Sequence, residues 1–174
     1  MNMEDVHIVK ELDKFSSVTH AIRAQGLHFS YKILICEVQE ANRRISKQLG
    51  LSLASKVFCL KKIRIVEGKP RSIETTYVDY RKVPGIEKHD FTDQSFYDKI
   101  KELYGLESTK SEEEIFIVEA NEEEKEILEL QEDDNEVLLI KGKAYTDNDV
   151  SPLEYFELIA IPSFYRFRSV MPYE

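Results

Sequence analysis

Long apolar runs are missing from this chain of 174 residues, and none approaches the roughly 18 residues needed to cross a bilayer. Residues 1–10 also lack the apolar core of a signal peptide. We therefore expect a cytoplasmic protein without a membrane partner. Cysteine is scarce as well: Cys36 and Cys59 lie in strand-like apolar runs, and although they could pair, a reduced protein is the simpler interpretation.

Excess positive charge and clustered metal ligands are absent too. The formal net charge of −9 argues against direct DNA binding, because neutralising phosphates requires a basic surface. The four histidines are scattered and lack ligand-like spacing, and we interpret the runs of glutamate at 112–114 and 122–124 as solvated faces. Neither a nucleophile elbow nor a phosphate-binding glycine loop is present. We expect no metal, no cofactor and no catalytic residue.

The composition is that of one globular domain, with 42% hydrophobic and 33% charged residues. Capping and periodicity predict helices within 15–26, 42–49, 92–104 and 122–130. Strands are predicted over 27–38, 55–66, 70–80, 115–118, 136–145, 153–161 and 164–170, with Asp147-Asn148-Asp149 as a turn. Because hairpins join most of these strands, the sheet should be antiparallel and the fold class α+β.

Two cations stand out in the predicted hairpin. Alternation along its first strand places Lys62 and Arg64 on the same face as Phe58, Leu60 and Val66. Burying a cation without a partner is costly, so the pair requires carboxylates, solvent or an anionic ligand. A solvated strand face with chance apolar neighbours is the alternative.

The register of the hairpin decides which groups accompany the cations. A three-residue loop, Glu67-Gly68-Lys69, sets Val66 opposite Pro70 and Lys62 opposite Glu74, and brings Ser72 and Thr76 to the same surface. A two-residue loop sets Lys62 opposite Ile73 and disperses the polar cluster. The sequence alone is compatible with either loop.

Two further features point to the same kind of site. Glu154 shares a strand face with apolar residues, so it lies either at a frayed strand start or against a polar cavity. Ser16 or Ser17 begins a helix, and a helix N-terminus offers free N–H groups to an anion, although ordinary capping is the default.

The order of these features resembles the UTRA domain family over about residues 12–170, after a lead-in at 1–11. The motifs that carry the resemblance are Leu49-Gly50-Leu51, Leu60 to Pro70, Glu74-Thr75-Thr76-Tyr77, Pro84-Gly85, Phe96-Tyr97 through Tyr104-Gly105, Ala120 to Leu130, Leu153-Glu154-Tyr155 and Tyr165-Arg166-Phe167. UTRA domains are the effector-binding halves of GntR-type transcription regulators of the HutC subfamily.

The resemblance implies a chorismate-lyase-like sheet with helices packed on it, a homodimer and a small anionic effector such as a phosphorylated sugar. By analogy Lys62 and Arg64 would hold the anion, with help from Ser16 and Ser17. The remaining residues implied to contact the effector are Glu74 and Glu154, as hydrogen-bond acceptors, and Thr76, Tyr77 and Tyr165, as pocket walls. DNA would be contacted only through a separate winged-helix domain.

Two departures from the family pattern affect this assignment. Lysine replaces the first arginine at Lys62, and its point charge specifies anion geometry less than a guanidinium does. The family's R-G-D-R segment is replaced by Ile161-Pro162-Ser163-Phe164. An allosteric sensor is the leading hypothesis. The alternatives are an enzyme of the chorismate lyase type on the same fold and a dimerisation module with a vestigial pocket.

Overall fold

The structure, a computed structural model, describes residues 6–14, 16–147 and 150–173. Within these ranges the strands are β1 (Ile8–Glu11), β2 (Phe29–Glu40), β3 (Lys56–Val66), β4 (Lys69–Asp79), β5 (Lys110–Glu119), β6 (Glu136–Tyr145), β7 (Glu154–Ala160) and β8 (Tyr165–Arg168). The helices are α1 (Val18–Ala24), α2 (Arg43–Leu49), α3 (Phe96–Tyr104) and α4 (Glu122–Ile127). The predicted α+β class is confirmed. Of the predicted turn at 147–149, residues 148 and 149 lie outside the described ranges.

Side chains cap all four of these helices. Ser17, Asn42, Ser95 and Asn121 each accept a hydrogen bond from a backbone N–H in the first helical turn. Helix α3 begins later than the predicted range of 92–104, because the Ser95 hydroxyl accepts from the Asp98 N–H and caps the helix there.

The central sheet has six antiparallel strands in the order β2-β3-β4-β7-β6-β5. Strands β1 and β8 form a separate parallel pair, in which Ile8 lies opposite Tyr165. The sequence pattern gave no strand signal near the N-terminus, because β1 is too short to show a period. Val6 and Ile8 are nevertheless buried in the core, so the described part of the 1–11 lead-in is packed onto the domain.

The β3–β4 hairpin combines both loops considered from the sequence. Its tip is a two-residue turn, with Val66 opposite Lys69 rather than Pro70, and Glu67 and Gly68 have φ angles of 51° and 74°. The pairing then shifts so that Arg64 lies opposite Ser72, which leaves Arg71 as the extra residue of a β-bulge. Below the bulge Lys62 lies opposite Glu74, as the three-residue loop predicted.

The two faces of the sheet carry different helices. Helices α1 and α3 contribute Ile22 and Ile100 to two apolar clusters on the face that bears Lys62 and Arg64. Helices α2 and α4 pack against the opposite face, where Cys59 lies. Cys36 and Cys59 are both free thiols. A polar region therefore separates two apolar clusters on the first face.

Candidate functional site

A cavity of about 80 Å³ lies above the middle of β3, β4 and β7, between the sheet and the N-terminal ends of α1 and α3. Seven of the nine residues expected at the effector site line it: Ser16, Ser17, Lys62, Arg64, Glu74, Thr76 and Glu154. Strand alternation and the bulge at Arg71 bring the sheet residues to this one face. The structure thus assembles most of the predicted set in one place.

Lys62 is a buried cation on the cavity wall, with 5% of its surface exposed. Its Nζ lies 3.8 Å from the centre of the Tyr31 ring, which is a cation–π contact. Among the described residues no carboxylate lies within ion-pair distance of Nζ. Burial lowers the pKa of Lys62 to about 8, with the charge of Glu74 opposing the shift. Within the described chain its ammonium is therefore held in the cavity without a direct anionic partner.

Arg64 is also buried, but Glu74 neutralises it. Its Nε and Nη2 donate to the two carboxylate oxygens of Glu74 at 3.0 Å and 2.7 Å, which is a bidentate pair. Despite burial, the Glu74 charge and this hydrogen bonding raise the pKa of Arg64, so it is always a cation. Within the described chain the third nitrogen, Nη1, is buried and has no hydrogen-bond acceptor. Both N–H donors of Nη1 are therefore available to another group.

Glu154 faces the cavity, which settles the two placements that its strand position left open. It is 1% exposed, and Thr76 Oγ1 donates to its Oε1 at 2.9 Å. Burial raises the pKa of Glu154 to about 7, although hydrogen bonds from Tyr97 and Thr76 and the charge of Lys62 act the other way. This carboxyl group therefore takes up its proton at a higher pH than an exposed glutamate does.

The start of α1 closes one side of the cavity. The Ser17 hydroxyl accepts from the His20 N–H, so it serves as an ordinary helix cap while lining the cavity with Ser16. Further along α1, the hydroxyl of Thr19 is hydrogen-bonded to that of Tyr31 on β2. This bond ties α1 to the ring that lies against Lys62.

Two tyrosines predicted to line the cavity, Tyr77 and Tyr165, do not line it. Tyr77 projects from the opposite face of β4, because its position has the other parity, and it stacks on Tyr155 with ring centres 6.2 Å apart. Tyr165 lies behind the cavity in the core, close to Ser72 and Arg64, where burial raises its pKa. Both expectations are corrected: neither tyrosine lines the cavity.

Several lining residues were missed from the sequence. Lys10 of β1 and Glu113 of β5 form an ion pair at the cavity edge, with Lys10 Nζ 2.8 Å from each carboxylate oxygen. Tyr97, at the start of α3, reaches Glu154 from above. No local motif marks these positions, because they are brought together only by the packing of distant elements.

Two kinds of site are not found in the described part of the chain. No group of three or more His, Cys, Asp or Glu side chains there is arranged to hold a metal ion. None of the described helices is long and apolar enough to span a membrane.

The UTRA domain model matches residues 24–166. The chain belongs to the UTRA domain family. PhnF from Mycobacterium smegmatis has the same fold, with a TM-score of 0.85 at 21% identity over 97% of this chain and 73% of that chain. A GntR-family transcriptional regulator from Bacillus cereus matches with a TM-score of 0.71 at 23% identity, over 83% of this chain and 99% of that one.

A third structure with the same fold is the C-terminal domain of a histidine utilization repressor from Pseudomonas syringae. It matches with a TM-score of 0.74 at 20% identity, over 84% of this chain and 100% of that domain. The chorismate-lyase-like fold expected from the motifs is therefore confirmed. UTRA domains belong to transcription regulators, and the chain is a regulatory, effector-binding domain.

Proposed function

We propose that this domain senses a small anionic metabolite, which binds in the cavity above β3 and β4. The observation that carries the proposal is Lys62, a buried ammonium group on the cavity wall that no carboxylate of the described residues contacts directly. A buried charge without a direct counter-ion is unfavourable, and an anion that enters the cavity removes that penalty. The ligand's negative group is therefore assigned to Lys62 first.

The other cavity groups complete the recognition of the ligand. Arg64 donates from Nη1 to the same anion, while Glu74 fixes the orientation of its guanidinium. Glu154 accepts a hydrogen bond from a ligand hydroxyl or amine, and Thr76 positions its carboxyl group. Ser16 and Ser17 add hydroxyls at the cavity edge.

The size of the cavity restricts what it holds. A water molecule requires about 10–15 Å³ of such space, so 80 Å³ accommodates a phosphate, phosphonate or carboxylate with a few further atoms. The rest of a larger ligand, such as a phosphorylated sugar, would extend towards the cavity edge at Lys10 and Glu113.

The response to the ligand is proposed to be allosteric. Binding would favour one of two arrangements of a cytoplasmic homodimer and so alter how a separate winged-helix domain contacts DNA, which requires different ligand affinities in the two arrangements. In support of a dimer, β5 presents an edge with no partner strand in the described chain, and Ile115, Phe116 and Ile117 are exposed along it. Light scattering of the purified domain measures this directly.

The proposal is tested by a thermal-shift screen with inorganic phosphate, sugar phosphates, phosphonates and small carboxylates. A ligand at 100 times its dissociation constant should add about 2.7 kcal/mol to the free energy of unfolding. A specific rise in Tm for one class supports the sensor, and no response across the panel counts against it. Incubation with chorismate should give no 4-hydroxybenzoate, whereas its formation would favour the enzyme.

A further inference from the structure

The ion pair between Lys10 and Glu113 lies between two spaces. On its inner side is the cavity that contains Lys62, and on its outer side is an open groove of about 570 Å³. Both residues line both spaces, as does Ser16. The pair therefore stands in the wall that the two spaces share.

This part of the wall is held by side chains rather than by backbone. Lys10 lies on β1, which pairs only with β8 in the described chain, and Glu113 lies on β5, which pairs only with β6. The Lys10 ammonium bridges the two sheets through both oxygens of the Glu113 carboxylate. Opening the wall at this point breaks no backbone hydrogen bond of either sheet.

The pair is also exposed enough to open. The side chains of Lys10 and Glu113 retain 14% and 22% of their accessible surface, so water competes for both charges. Ion pairs in contact with water contribute little net stability. The floor of the cavity, in contrast, is formed by β3, β4 and β7, which backbone hydrogen bonds hold together in the central sheet. The starts of α1 and α3 form its sides.

We propose that the Lys10–Glu113 ion pair is the gate of the cavity, and that small molecules reach Lys62 from the outer groove when this pair opens. This inference rests on the proposed function only for the chemical identity of the small molecule that passes the gate. The gate itself is a property of the wall. It can therefore be tested without a ligand.

The test uses a thiol placed inside the cavity. Thr76→Cys puts the thiol on the cavity wall, and Cys36→Ser removes the half-buried native thiol. Cys59, buried on the opposite face of the sheet, remains as an internal reporter of global opening. Labelling by iodoacetamide, which is small and uncharged, is followed at both thiols by mass spectrometry.

The gate variant is Glu113→Gln, and the matched control is Glu112→Gln. Glu112 is the adjacent residue of β5 and has its own exposed ion pair with Lys110 at 3.4 Å. We expect Glu113→Gln to accelerate labelling of the cavity thiol by about fivefold, the factor that the loss of an exposed ion pair can give. Labelling of Cys59 should not change, and Glu112→Gln should alter neither rate.

Two results overturn the gate. One is an unchanged labelling rate of the cavity thiol in Glu113→Gln. The other is an equal acceleration at the cavity thiol and Cys59, which would make Glu113 a purely structural residue. Excess inorganic phosphate provides a separate arm: if it fails to slow labelling of the cavity thiol in any variant, it counts against the proposed function and leaves the gate result intact.

Discussion

Glu74 accepts two hydrogen bonds from one edge of the Arg64 guanidinium, whereas the ammonium of Lys62, two residues earlier on the same strand face, lies against an aromatic ring and has no carboxylate at ion-pair distance among the described residues. This difference assigns separate roles to two cations that look equivalent in the sequence. Arg64 and Glu74 form a buried structural unit, and Lys62 is the charge that an anion would meet.

Arg64→Ala should destabilise the fold. It leaves the Glu74 carboxylate, which is only 16% exposed, without its bidentate partner. Breaking a buried ion pair in this way costs about 3 kcal/mol. Urea denaturation followed by circular dichroism measures the loss.

The control for this prediction removes both charges together. Arg64→Met combined with Glu74→Leu replaces the pair by apolar groups, which is often neutral for stability. The double variant should therefore recover most of the stability that Arg64→Ala loses. An Arg64→Ala variant as stable as the original chain would contradict the structural role of the pair.

The stability of the domain should fall between pH 5 and pH 8 because of Glu154. Burial raises the pKa of Glu154 to about 7 from its ordinary 4.5, so its proton stabilises the folded state. That contribution is complete below pH 4.5 and is lost as the pH rises through about 7. Between pH 5 and pH 8 the loss amounts to about 2 kcal/mol.

Glu154→Gln isolates this effect, because the amide does not titrate. The free energy of unfolding of the original chain should fall by about 2 kcal/mol more than that of the variant between the two pH values. Glu112→Gln, which changes an exposed carboxylate, should behave like the original chain. Parallel pH profiles for the original chain and Glu154→Gln would show that the Glu154 pKa is not raised.

Gly142→Ala should be destabilising although it adds a single methyl group. A Cβ at this position would lie 2.2 Å from the backbone oxygen of Glu112 and 2.8 Å from Cζ of Phe156, a ring that lines the cavity. Relief of the overlap requires shifts of both β5 and that ring, at a cost of about 2 kcal/mol. Thermal denaturation of Gly142→Ala is compared with that of Lys143→Ala on the same strand, whose Tm should be close to that of the original chain.

Much of this fold follows from local sequence signals. Period-two alternation located β3, β4 and β6, and Gly50 and Gly105 marked the ends of α2 and α3 through their left-handed backbone. The polar cluster was predictable because parity alone places Lys62, Glu74 and Thr76 on one face once the register is set.

The remaining features depend on packing that no local pattern encodes. The bulge at Arg71 corrects the register after a two-residue turn, so neither simple loop describes the hairpin. Tyr77 was assigned to the cavity by its motif, although strand parity turns it to the other face. Lys10 and Glu113 meet across 103 residues of sequence, and only the completed fold brings them together.

The central claim is that Lys62 holds the anion, and its most direct test is calorimetric titration of Lys62→Met with the anion that gives the largest thermal shift. Lys61→Met is the matched control, because Lys61 is adjacent on the same strand but faces the opposite side of the sheet. We predict that Lys62→Met loses binding by tenfold or more, about 1.4 kcal/mol, while the variant stays folded and Lys61→Met binds normally. Equal affinity in Lys62→Met and Lys61→Met would contradict the assignment of the anion to Lys62.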